Sequence, residues 1–94
     1  LRSLMAAERP RMLHALREQG LSVIPGEANF FLFYSEAFDL CTLLRSKGIL
    51  LRDCSSFPGL GPGWYRCAIR TETENNDLLS ALSAVLREPQ RKEG

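Results

Sequence analysis

The segment WYRCAIR, residues 64–70, constrains the fold of this chain more than any other stretch. Side chains alternate between the two faces of a strand, so its period puts Tyr65, Cys67 and Ile69 on one face and Trp64, Arg66, Ala68 and Arg70 on the other. The first set suits a core. ANFFLFY, at 28–34, reads as a second buried strand, preceded by the shorter LSVI at 21–24 and joined to it by a PGE turn. ILLR, at 49–52, reads as a further short strand.

Helical spacing fills the remaining segments. Leu4, Met5, Met12, Leu13 and Leu16 precede a stop at Gly20. Pro10 lies within that run and cannot donate to the carbonyl four residues earlier, which predicts a kink or break near Arg9. Ser35 is placed to cap a second helix with Phe38, Leu40, Cys41, Leu43 and Leu44 on its apolar face, ending at Lys47 and Gly48. Thr71 and Glu74 form a T-x-x-E capping box for a third helix, with Leu78, Leu79, Leu82, Val85 and Leu86 along its buried stripe. The order helix, strand, strand, helix, strand, strand, helix predicts an α+β two-layer sandwich, a small, mostly antiparallel sheet with helices on one face. Residues 1–88 are expected to form a single domain and 89–94 a polar tail.

Ninety-four residues, 45% of them hydrophobic, suffice for one modest core. No apolar run approaches the roughly 20 residues of a membrane span, and LRSLMAAERPR lacks a signal-peptide core, so the expected location is the cytoplasm. A net charge of +1 provides no broad field for nucleic acid or anionic lipid. NFFLFY has aromatics that bases could stack on, but it lacks the basic-Gly-aromatic opening of an RNA-recognition motif. Cys41, Cys54 and Cys67 match neither a disulfide framework nor a zinc spacing and read as reduced thiols, with Cys41 and Cys67 assigned to core packing. The single histidine, His14, reads as part of a helix surface or a packing contact. No metal site and no acid–base pair stands out.

The residues that do suggest chemistry are Arg52, Arg66 and Arg70, set around a turn containing Pro58, Gly59, Gly61, Pro62 and Gly63. Guanidinium forks suit carboxylate and phosphate because they bind two oxygens at once. Arg66 and Arg70 lie about 13 Å apart by strand rise, too far to share one small anion through this strand alone. Arg52 approaches either one if the loop folds back. Ordinary surface salt bridges are the competing account. GLGPG fits no phosphate-loop pattern and reads as a turn returning WYRCAIR to ILLR.

EANFFLF, followed by LLRSKGILLRDCSSFPGLGPGWYRCAIRTETENNDLLSAL, resembles the C-terminal small domain of fold-type I, pyridoxal-phosphate-dependent aminotransferases. The likeness is greatest to the branch of histidinol-phosphate aminotransferase and L-threonine-O-3-phosphate decarboxylase. It covers roughly residues 4 to 87 and is most specific in R-D-C-S-x-F-x-G-L-G and Y-R-x-A-x-R-T-x-x-E-N, which favour the decarboxylase of cobalamin biosynthesis. The resemblance implies that Arg66 binds the substrate carboxylate and Arg52 its other anionic end, its phosphate. Arg70 is a further candidate or a structural residue, and Asn29 matches an A-N-F motif where backbone or domain-interface hydrogen bonding is favoured. Ser56 departs from the asparagine common in the decarboxylase branch, and Pro10 interrupts a helix the family usually keeps continuous.

The resemblance also implies pyridoxal 5'-phosphate as cofactor and a homodimer as the assembly. Neither lysine suits a Schiff base, since Lys47 ends a helix and Lys92 lies in the tail. The expectation is therefore a small domain working with a preceding large domain that holds the cofactor, this part being inactive alone and contributing no catalytic residue. The alternatives are an aminotransferase or a free-standing module binding anions or RNA.

Overall fold

A computed structural model describes residues 2–26, 29–36 and 39–87. The elements are α1 (Arg2–Glu18), β1 (Ser22–Pro25), β2 (Phe30–Tyr34), α2 (Leu40–Arg45), β3 (Arg52–Asp53), β4 (Trp64–Ala68) and α3 (Glu72–Arg87). The four strands form one antiparallel sheet in the order β1-β2-β4-β3. The expected α+β architecture is the one observed.

The alternation in β4 divides the sheet as the sequence predicts, and β2 follows the same two-residue period. Phe31, Phe33, Tyr65 and Cys67 are buried on the inner face, where Phe33 and Tyr65 stand opposite each other with ring centroids 5.7 Å apart. They join Met12 and Leu16 of α1, Leu40 and Leu44 of α2, and Leu78, Leu82 and Val85 of α3 in a single core. Burying each large side chain contributes roughly 1.5–3 kcal/mol. The outer face, with Phe30, Leu32, Tyr34, Trp64, Arg66 and Ala68, is only half-buried.

Helix ends follow from local hydrogen bonding. After α1, Leu21 N–H donates to Leu16 C=O and Gly20 N–H to Arg17 C=O, with Gly20 at φ 87°. This is a Schellman closure, and Leu16 and Leu21 are both buried beneath it. The same closure ends α2, through Ile49 to Leu44 and Gly48 to Arg45. At the start of α3, Glu74 N–H donates to Thr71 Oγ1 at 3.2 Å and Thr71 N–H to Glu74 Oε1 at 3.3 Å, completing the predicted capping box.

Three local expectations need correction. No break occurs at Pro10, because α1 runs through it: Ala6, whose carbonyl loses its usual donor, is exposed, and water can replace the missing bond. Ser35 does not cap α2. That helix starts at Leu40 with Asp39 before it in a left-handed conformation and without a side-chain cap, while Ser35 is buried and donates its N–H to Gly63 C=O. ILLR is not the strand, since Ile49 is used in the Schellman closure, Leu50 is 81% exposed, and pairing begins only at Arg52. Phe38 and the tail 89–94 with Lys92 lie outside the described residues. No described helix is long and apolar enough to cross a membrane.

Candidate anion-binding site

β4 lies between β2 and β3, and its middle residue, Arg66, stands opposite Leu32 on one side and Arg52 on the other. Directly opposed residues project from the same face with Cβ atoms about 4.5–5.5 Å apart. Arg52 and Arg66 therefore leave the outer face together. Arg66 is half-buried and Arg52 exposed. The Arg66 guanidinium carbon lies 5.1 Å from the centroid of the Phe30 ring. Among the described residues, neither guanidinium is held in an ion pair or hydrogen bond. Two like charges opposed in this way cost stability unless an anion lies between them.

The loop between β3 and β4 sets this register. Cys54 N–H donates to Trp64 C=O at 2.9 Å, and the chain turns through Phe57 N–H to Cys54 C=O and Leu60 N–H to Phe57 C=O. Gly63 has φ 94°, and a Cβ there would come within 2.5 Å of the Tyr34 ring, so the close approach to the end of β2 requires glycine. Asp53, opposite Tyr65 on the inner side, accepts from Ser55 N–H at 2.8 Å, a bond that lowers its carboxyl pKa. It serves the turn.

Arg70 follows the end of β4, and its Nε lies 3.6 Å from Glu74. The structure does not group it with Arg52 and Arg66. Asn29 is exposed, and its backbone carbonyl accepts from Ile69 N–H at 2.7 Å, continuing the β2–β4 pairing by one bond. Ser56 is exposed in the turn. His14 is exposed on α1 beside Glu18. Cys67 is buried and its thiol is pushed up to about 12 by desolvation. Cys54 is buried too, and burial also raises the thiols of Cys54 and the half-buried Cys41.

One polar cluster escaped the sequence reading. Glu8, 5% exposed on α1, accepts two bonds from Arg11, at 2.7 and 3.1 Å, and one from Asn75 Nδ2 at 2.8 Å. These bonds, led by the one to Arg11, depress its carboxyl pKa. Asn75, 1% exposed, also donates to Arg70 C=O and accepts from Arg70 N–H, both at 2.9 Å. The cluster ties α1 and α3 to the chain leaving β4. Its members are separated by up to 67 residues, so no local motif announces it.

The four-stranded antiparallel sheet with its helices is the architecture of the small domain of the aminotransferase fold of pyridoxal-phosphate-dependent enzymes. The chain is homologous to the threonine-phosphate decarboxylases and histidinol-phosphate aminotransferases of that family. It is 40% identical over 87 residues to threonine-phosphate decarboxylase of Salmonella typhimurium, a match spanning 78% of this chain and 24% of that protein. It is 39% identical over 70 residues to histidinol-phosphate aminotransferase of Methanococcus maripaludis, spanning 70% of this chain and 19% of that one. Among solved structures, histidinol-phosphate aminotransferase from Clostridium acetobutylicum superposes with a TM-score of 0.82 at 31% identity, over 88% of this chain and 26% of that chain. L-threonine-O-3-phosphate decarboxylase from Porphyromonas gingivalis gives a TM-score of 0.79 at 25% identity, over 93% of this chain and 28% of that chain. No protein-family model matches. The chain thus spans about a quarter of the relatives it matches.

Pyridoxal phosphate does not fit a site made from the described residues alone. Lys47, the one lysine among them, is exposed in the turn after α2, on a different element from the paired arginines.

Proposed function

We propose that this chain is the substrate-binding C-terminal small domain of a pyridoxal-phosphate-dependent enzyme acting on a phosphorylated amino acid, with decarboxylation of L-threonine O-3-phosphate in cobalamin biosynthesis as the reaction. The observation that carries this reading is the direct opposition of Arg52 and Arg66 on the open face of the sheet. Arg66, in the interior strand, binds and orients the α-carboxylate through its fork. Arg52, on the edge strand, binds the phosphate. A small substrate bearing both groups neutralises both cations without requiring them to converge on one oxygen. Arg70 and Asn29 serve the frame rather than the substrate, in line with the Glu74 contact and the backbone bond to Ile69.

The cofactor would be held by a large domain outside this chain and would supply an electron sink for the charge left at the substrate α-carbon. This chain contributes binding and orientation and is inactive alone. A cytoplasmic homodimer is the assembly that goes with this reading. Amino-acid transamination is the second reading, favoured by the histidinol-phosphate aminotransferases among the relatives. With 2-oxoglutarate present, transamination yields glutamate, whereas decarboxylation releases carbon dioxide without it.

The test is titration of the full-length enzyme with O-phospho-L-threonine. Arg66→Ala should weaken binding by about 1.5–3 kcal/mol, the worth of a charged hydrogen bond and about 10- to 150-fold in Kd, while cofactor absorbance persists. Unchanged affinity would refute the assignment of Arg66.

A further inference from the structure

Beyond the two arginines, the outer face holds an arrangement that controls how one of them is presented. Phe30 stands opposite Ala68, so its ring is diagonal to Arg66 on the same face, within reach for an aromatic side chain. The guanidinium carbon lies 5.1 Å from its centroid, inside the range of a cation–π contact. An ion-pair partner would occupy the donor fork. An aromatic partner attracts the cation through its π face and leaves the in-plane N–H groups available.

The ring itself is backed by the chain before β2. A Cβ on Gly26 would lie 2.6 Å from one Phe30 ring carbon and 2.7 Å from the next, so the backbone at Gly26 abuts the ring. Gly26 N–H donates to Phe30 C=O at 3.1 Å, and Arg9 of α1 donates to Gly26 C=O. Phe30 is thereby braced by the backbone at Gly26 while its ring stays beside Arg66.

We infer that Phe30 is a positioning residue for Arg66, an aromatic platform that orients the guanidinium while leaving its fork open to an anion. The inference rests on the reading of Arg66 as the carboxylate-binding residue. It predicts that ring electrons, and not ring volume alone, set affinity for the anion.

The test is titration of the full-length enzyme with O-phospho-L-threonine, comparing Phe30 with Phe30→Leu, Phe30→Tyr, and 3,4,5-trifluorophenylalanine introduced at position 30. Removing the ring should weaken binding about three- to ten-fold, the size of a partly desolvated cation–π contact. Tyrosine should preserve binding. The trifluoro ring keeps the shape but loses the negative face, so it should weaken binding nearly as much as leucine. Full affinity with the trifluoro ring would overturn the platform while leaving the arginine assignment intact. Unchanged affinity in Arg66→Ala would instead overturn the underlying reading, and the platform with it.

Discussion

Replacing Asn75 tests the buried link between α1, α3 and the exit of β4. Asn75→Ala removes two bonds to the Arg70 backbone and the donor that reaches Glu8, leaving a void at a site only 1% exposed. The Arg70 bonds alone, at about 0.5–1.5 kcal/mol each, make the expected loss roughly 1–3 kcal/mol, a sizeable part of the 5–15 kcal/mol typical of a domain. Urea unfolding of the chain measures it. Asn75→Asp is more revealing, because it sets a carboxylate oxygen against Glu8 Oε1 at 2.8 Å and Arg70 C=O at 2.9 Å, where the amide donated. The new carboxyl has its folded pKa raised by the adjacent charge, so its penalty is complete at neutral pH and is relieved as pH falls through that raised value. Glu8 behaves oppositely. Its folded pKa is depressed, so its contribution is present above the unfolded pKa and is lost as pH falls through the folded one. The gap between wild type and Asn75→Asp must therefore narrow in mild acid. A constant gap, or an Asn75→Ala variant as stable as wild type, would refute the argument.

Arg52→Ala should act in opposite directions on folding and binding. Relieving the opposed charges should stabilise the anion-free chain by about 0.2–1 kcal/mol in urea unfolding, and titration of the full-length enzyme with O-phospho-L-threonine should show weaker binding. Gly63→Ala should lower stability by about 1–3 kcal/mol, from its positive φ and the collision with Tyr34, as a thermal melt would record. Thiol titration with a disulfide reagent should label half-buried Cys41 first, with Cys67 labelled only on unfolding, since burial holds its thiol protonated to about 12.

Features governed by short-range periodicity were legible in the sequence. The alternation in WYRCAIR placed the inner residues of β4 correctly, ANFFLFY was legible as a buried strand without its faces, the T-x-x-E box marked the start of α3, and the two glycines ended α1 and α2. Features decided by tertiary competition were not. Ser35 had the chemistry of a cap, but its backbone was drawn to Gly63, and ILLR had the composition of a strand, but the Schellman closure consumed Ile49. Pro10 was overestimated as a breaker because the affected carbonyl belongs to an exposed residue. The guanidinium pair was half legible: spacing suggested that Arg52 could return toward Arg66, and only the register showed them opposed. Glu8 was invisible, since nothing local distinguishes a buried glutamate from a solvated one, and Asn75 stood in the R-T-x-x-E-N motif without a role attached to it.

The outer strands of the sheet carry a consequence for how this chain can associate. β3 offers two residues and β1 four, the last of them Pro25, which has no N–H to give. An incoming strand would gain few backbone hydrogen bonds on either side, so growth by strand addition is disfavoured at both margins.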